Sequence, residues 1–245
     1  MDSDDKKITQ LTKVTTLSDS DLFVVAVSVG TAPATKAIEK SKAFPVAPDG
    51  WTPVFDTWTY ASASTITVPS NATTYLHKCV KIRFKQGGSY KYYIAKTVAA
   101  TLITIAVNSD YTVANAGITD IAYSYADNPL GFPHHFNFTS TIAGFSSNPA
   151  TILLTYSVSG NKLFFNASTT DGTGNADTFT LTVPFAARKL CTGASSLTRD
   201  NSTNVGQGYW QIAAAASTLA FFKPNLAAWT SAAGKGIYAS GFYEI

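Results

Sequence analysis

Apolar and polar positions alternate along most of this chain with the two-residue period of a β-strand, and turn residues break the runs at short intervals. The clearest stretch is Asp177–Phe185. There Phe179, Leu181 and Val183 fall on one face, and Thr178, Thr180 and Thr182 on the other. Thr151–Val158 and Lys162–Ala167, joined by Ser-Gly-Asn, predict a hairpin. Gly208–Ile212 and Leu219–Lys223 predict strands around the alanine run Ala213–Ala216. That run favours helix by propensity, but its neighbours are β, so strand–turn–strand is expected. The chain closes on Gly236-Ile-Tyr-Ala-Ser-Gly-Phe-Tyr-Glu-Ile, again a strand. Upstream, Thr65–Val68, Cys79–Lys85, Tyr90–Thr97, Thr101–Val107 and Ile118–Tyr125 predict a second set of short strands. Gln86-Gly-Gly-Ser is a hairpin turn, because glycine supplies positive φ without steric cost.

Two joints divide this pattern. Gly50–Ser70 packs Trp51, Phe55, Trp58 and Tyr60 behind Pro45, Pro48 and Pro53, each of which fixes φ and removes a donor. Asn128-Pro-Leu-Gly-Phe-Pro-His-His-Phe is a stiff turn rather than a flexible linker. The organisation expected is an N-terminal arm over 1–49, a small β-barrel or sandwich module over 50–128, a Pro/Gly joint over 129–135 and a jelly-roll-like β-sandwich over 136–245. In the arm, Ile8 and Leu11 lie in a polar–apolar alternation. Leu22, Phe23, Val24, Val25 and Val27 form its one strong strand, and Thr35–Ala43 reads as a short helix or a strand. So short a segment cannot close its own core. It reads as a docking arm whose strand completes a neighbouring sheet or an intertwined collar.

Composition adds one point. Apolar residues make up 45% of the 245 positions and charged residues only 13%, about half the usual share. Neutral outer faces of that kind suit a subunit packed among others, where charge is costly to desolvate. The net charge of +3 is too small to imply nucleic acid. The first residues are acidic and polar, unlike a secretory signal, and no apolar run is long enough to span a membrane. Cys79 and Cys191, the two cysteines, both sit in strand-like runs and read as reduced, half-buried thiols.

Catalytic patterns are missing: no Gly-X-Ser-X-Gly, no His-Glu-X-X-His and no phosphate loop occurs. Asp171 and Asp177 are close enough in sequence to pair but read as loop residues, so no enzyme and no cofactor is expected. His134 and His135 would point to opposite sides of an extended chain, a poor chelate unless a threefold axis gathers three copies. Without such an axis, one of them is expected to stack on Phe132 or Phe136. Lys81, Arg83 and Lys85 share one face of a Tyr-rich hairpin. Such a face is a recipe for a single-stranded nucleic-acid platform, or else a solvated or subunit-facing sheet surface. Tyr209 and Trp210 are candidate sugar-stacking residues, with at least one expected in the core.

The opening Lys-Ile-Thr-Gln-Leu-Thr…Leu-Ser-Asp-Ser-Asp-Leu-Phe-Val-Val resembles the N-terminal segment of tailed-bacteriophage virion proteins, fibre and appendage subunits especially. Gly50-Trp-Thr-Pro, Asn128-Pro-Leu-Gly-Phe-Pro and the closing strand are similar to elements of phage and prophage structural proteins. The resemblance implies a virion component: a homotrimeric tail or head fibre or spike, attached through its arm and exposing β-modules to the host surface. Its partners would be itself, other virion proteins and a host glycan. A decoration or collar protein that binds no receptor, and a glycan-binding recognition module, are the alternatives. For a trimer, Trp51, Phe55, Trp58 and Tyr60 would be inter-subunit aromatics, because a slender hinge has little of its own to bury them. Trp51→Ala or Trp58→Ala would then loosen assembly before unfolding the sandwich.

Overall fold

The computed structural model describes residues 49–175, 178–224, 226, 228–231 and 233–245, together with the backbone of 22–27 and 34–39. Those residues contain no α-helix; a single 3-10 turn, Ala72–Thr74, is capped by Asn71, whose side chain accepts from the Thr73 N–H. The all-β architecture expected from the alternation is the one observed.

In the arm, β1 (Leu22–Val27) and β2 (Ala34–Glu39) form an antiparallel hairpin, with Leu22 opposite Glu39 and Val27 opposite Ala34. This corrects the picture of a strand without a partner: Leu22, Phe23, Val24, Val25 and Val27 pair within the chain, and 34–39 is strand, not helix. Ile8 and Leu11 lie outside the described residues.

The middle module is a seven-stranded antiparallel sheet. Its strands are β3 (Thr52–Pro53), β4 (Thr59–Ser62), β5 (Thr65–Thr67), β6 (Lys81–Gln86), β7 (Ser89–Val98), β8 (Leu102–Ile105) and β9 (Thr119–Ser124), in the order β3-β9-β6-β7-β8-β5-β4. Gly87 and Gly88, at φ 61° and 82°, make the β6–β7 turn as expected. Cys79 is not in a strand: it takes φ 72° in a turn, and β6 begins two residues later.

The C-terminal module holds twelve strands: β10 (Phe136–Asn137), β11 (Ile142–Ala143), β12 (Phe145–Ser147), β13 (Ile152–Ser159), β14 (Lys162–Thr169), β15 (Gly172–Gly174), β16 (Thr180–Thr182), β17 (Cys191–Asp200), β18 (Thr203–Gly206), β19 (Tyr209–Ile212), β20 (Thr218–Phe222) and β21 (Gly234–Glu244). The main path runs β10-β13-β14-β21-β17-β19-β20-β16-β11, so the two layers of the sandwich are one sheet curled on itself. The alanine run 213–216 is a turn, with Ala215 at φ 60°.

Both modules curl by the same device. A ten-residue strand changes partner halfway along, and a register shift marks the change. In β7, Ser89–Ile94 pairs with β6, and Ala95–Val98 with β8. In β17, Cys191–Ala194 pairs with β19, while Ser195–Arg199 pairs with β21 across a bulge. A bulge bends a strand and raises its twist, which lets it turn a corner between layers. The buried polar groups at the β17 bulge are met locally: the Ser195 and Thr198 hydroxyls lie 3.0 Å apart, and the Gly208 N–H donates to Ser195 Oγ at 3.0 Å.

Inside the curl, Leu154, Tyr156, Leu163, Phe165, Ile237 and Tyr243 of one layer meet Phe179, Leu181, Phe185, Ile212, Leu219 and Phe221 of the other. Trp210 lies between two glycines: a Cβ at Gly193 or Gly241 would stand 2.4 or 2.3 Å from its ring. Lys235 is also fully buried, its ammonium donating to the Thr178 carbonyl at 2.9 Å and lying 4.8 Å over the Phe145 ring.

Candidate functional site

The outward face of β13, β14 and β21 is the surface with the most distinctive chemistry. Strand geometry sends alternate side chains to opposite faces. Along these strands Leu154, Leu163, Phe165, Ile237 and Tyr243 go inward, so their neighbours Leu153, Phe164, Tyr238 and Phe242 must go outward. These remain 56%, 41%, 45% and 51% exposed. The register then orders the face into rows across the strands. Leu153, Ser168 and Tyr238 make one row; Thr155, Asn166 and Ser240 the next; Ser157, Phe164 and Phe242 the third. The Phe164 and Phe242 rings are 5.5 Å apart, and Lys162 places its ammonium 5.1 Å over Phe242 at that end.

A shallow depression of about 370 Å³ lies over the first two rows and reaches Ser196 on β17. No charged side chain lines it. Ser196 donates to the Tyr238 carbonyl at 2.9 Å. Among the described residues, the side chains of Thr155, Asn166, Ser168 and Ser240 make no hydrogen bond within the chain. The sequence did carry a signal for this face. Phe164-Phe165 and Phe242-Tyr243 are adjacent aromatics in strands, so one member of each pair has to point away from the core.

The junction between the modules is built from similar residue types and ends up closed. Trp51 is completely buried; its indole N–H donates to the Leu130 carbonyl at 2.9 Å, and its ring meets Tyr92 and Phe132. Phe132 continues edge-on to Phe136, and Phe136 lies at a tilt against Tyr156. The Leu130 N–H donates to the Asp49 carbonyl, which ties the joint to the start of the middle module. Trp51 and Trp58 are therefore buried by their own chain, correcting the expectation that the hinge could not cover them; Phe55 is exposed and Tyr60 half-buried.

The basic face of β6 belongs to this junction. Arg83 pairs with Asp49 at 3.1 Å and lies 4.7 Å over Trp51; Lys85 pairs with Asp120 at 2.6 Å; Lys81 lies 5.6 Å over Phe132. The expected alternation is correct: Lys81 and Arg83 are engaged with the joint, whereas Lys85 is partly open to solvent and pairs with a residue of β9. Two clefts of about 330 and 200 Å³ flank it and share Lys81 and Asp127. Burial pulls the Lys81 ammonium down from its usual range, and Asp127 partly offsets this. Cys79 lines the larger cleft; burial pushes its thiol up, against Lys78 and Lys81, so it is not an activated nucleophile. Both cysteines are free and half-buried.

Carboxylates are likewise occupied structurally. Asp171 pairs with Arg199, Glu244 with Lys189, and Asp110 accepts from the Asn137 backbone and side chain. Asp200 accepts from Lys223 at 2.7 Å and from Thr230. Burial pushes Asp200 upward, but those hydrogen bonds prevail and hold it below the ordinary carboxylate value. Asp177 lies outside the described residues. His134 and His135 are exposed, and the described residues hold no group of three or more His, Cys, Asp or Glu suited to a metal. The described histidine ring contact is instead His77 on Tyr125. Trp210 is core; Tyr209 is half-buried and stacks on Phe222 at 4.8 Å, so the two do not form one sugar platform.

No family model, curated protein or solved structure matches this chain.

Proposed function

We propose that this chain is a non-enzymatic subunit of a bacteriophage particle, of the fibre or spike kind. It is held through its N-terminal arm and works by presenting the outward face of β13, β14 and β21 to the host surface. The observation that carries this reading is the contrast in how side chains are used. Described carboxylates and cations such as Asp49, Arg83, Lys85, Asp171 and Asp200 serve intramolecular contacts, while Leu153, Phe164, Tyr238 and Phe242 stay exposed on one rigid sheet. Exposed apolar side chains gathered on one surface mark interaction sites. The similarity of the arm and joints to phage virion proteins supplies the context, and sparse charge suits a closed trimer.

Competition for the host surface tests this. Excess purified chain should protect host cells from adsorption of the particle, and the double variant Phe164→Ser/Phe242→Ser should lose that protection while melting normally. Full protection by the double variant, or none by the natural chain, overturns the reading. Light scattering should give a trimer; a stable monomer at micromolar concentration would remove the trimeric part.

A further inference from the structure

We infer that the depression floored by Thr155, Asn166 and Ser240, and banked by Leu153, Ser168 and Tyr238, is a binding site for a neutral glycan. This rests on the host-contact reading above and names the chemistry that would be contacted.

Four features of the site converge on that ligand. The first is charge: the lining has none, Arg199, one row beyond Tyr238 by register, is paired with Asp171, and Lys162, two rows beyond Ser240, is drawn onto the Phe242 ring. A sialylated, sulfated or uronic-acid chain would find no counter-charge here. The second is hydrogen-bonding capacity. Hydroxyls and a carboxamide each offer donor and acceptor functions, the same dual character as sugar hydroxyls. Those of Thr155, Asn166, Ser168 and Ser240 are not used within the described chain. The third is the aromatic bank. Tyr238 is 45% exposed beside those side chains, so an apolar C–H face of a pyranose can rest on its ring while the rim hydroxyls reach Asn166 and Ser240. The fourth is shape and stiffness. The volume of about 370 Å³ falls at the lower end of small-ligand clefts. All its residues stand on register-locked strands, so little ordering is needed on binding.

The same features argue against a second copy of the chain as occupant. The depression carries the polar side chains of Thr155, Asn166, Ser168 and Ser240 among its lining residues. Capping it with another protein surface would bury hydroxyl and amide groups that need partners. A glycan brings those partners with it.

The test uses the full chain on an array of neutral, sialylated, sulfated and uronic-acid-containing glycans. Calorimetric titration with the strongest neutral binder follows, for the natural chain, Tyr238→Ala and Asn166→Ala. Neutral glycans should bind selectively, each variant should bind about tenfold more weakly, and thermal midpoints should stay unchanged because both side chains are exposed. Binding confined to acidic glycans, no binding of neutral ones, or neutral binding indifferent to both variants overturns the assignment. The two readings fail separately. If the natural chain, but not Phe164→Ser/Phe242→Ser, protects cells while no neutral glycan binds, host contact stands and the glycan assignment falls. If neutral glycans bind but the chain does not protect cells, the site stands and the host-contact reading falls.

Discussion

The module junction and the outward sheet face use overlapping residue types, yet one is sealed and the other left open. At the junction, Trp51 packs at a tilt against Tyr92 and Phe132, Phe132 meets Tyr92 and Phe136 edge to face, and Arg83 is both ion-paired and laid over an indole. On the outward face, Phe164 meets Phe242, over which Lys162 lies, and the side chains of Thr155, Asn166, Ser168 and Ser240 have no hydrogen-bond partner in the described chain. The difference is topological. Residues 128–136 fold back over β6 and β7, whereas nothing in the described chain crosses β13, β14 and β21 on their outer side. Aromatics and polar groups cement a fold when a second segment covers them and form a contact surface when none does.

Substitutions should separate the two regions, and the largest effect belongs to Trp51. Trp51→Ala empties a completely buried site at the centre of the junction. It should destabilise the protein by about 3–5 kcal/mol, read as a lower denaturant midpoint. This replaces the expectation that the variant loosens assembly first, because the cavity opens within one chain. An unchanged midpoint would show that the junction does not hold the modules. Arg83→Ala should cost less, about 1.5–3 kcal/mol, by removing a charge-assisted contact to Asp49. Asp49→Ala should reproduce most of that loss, and a double variant should be less than additive.

Acid should act on the C-terminal module through Asp200. Its folded pKa lies below the unfolded value of about 3.9. Its stabilisation is therefore complete above that value and is lost as pH falls through the folded one. Melting curves from pH 6 down to about 2 should show a falling midpoint, and Asp200→Asn should flatten the acid slope. The smallest effect belongs to the outward face. Phe242→Ser replaces a half-exposed ring and should change stability by less than about 1 kcal/mol while removing surface contact. A loss comparable to that of Trp51→Ala would mean the outer face is part of the core.

Much of the fold could be read from local pattern. Alternation placed Phe179, Leu181 and Val183 inside, the Gly87-Gly88 turn was evident, and Lys81, Arg83 and Lys85 were set on one face of β6. Strand β17 could not be read this way. Cys191-Thr-Gly-Ala-Ser-Ser-Leu-Thr-Arg-Asp has almost no apolar alternation, because a corner strand changes layers midway and its small residues make room for Trp210 and for the buried hydroxyl pair. The fate of each aromatic was also out of reach. Trp51, Phe55, Trp58 and Tyr60 look alike in sequence, yet only the covering by residues 128–136 and the middle core decides that Trp51 and Trp58 are buried and Phe55 is not. The sequence by itself determined that this is a β-protein with neutral faces, since strand period and composition are local properties. Which face the chain covers, and hence which stays open to a ligand, was decided by tertiary structure alone, because it depends on how segments far apart in sequence fold across one another.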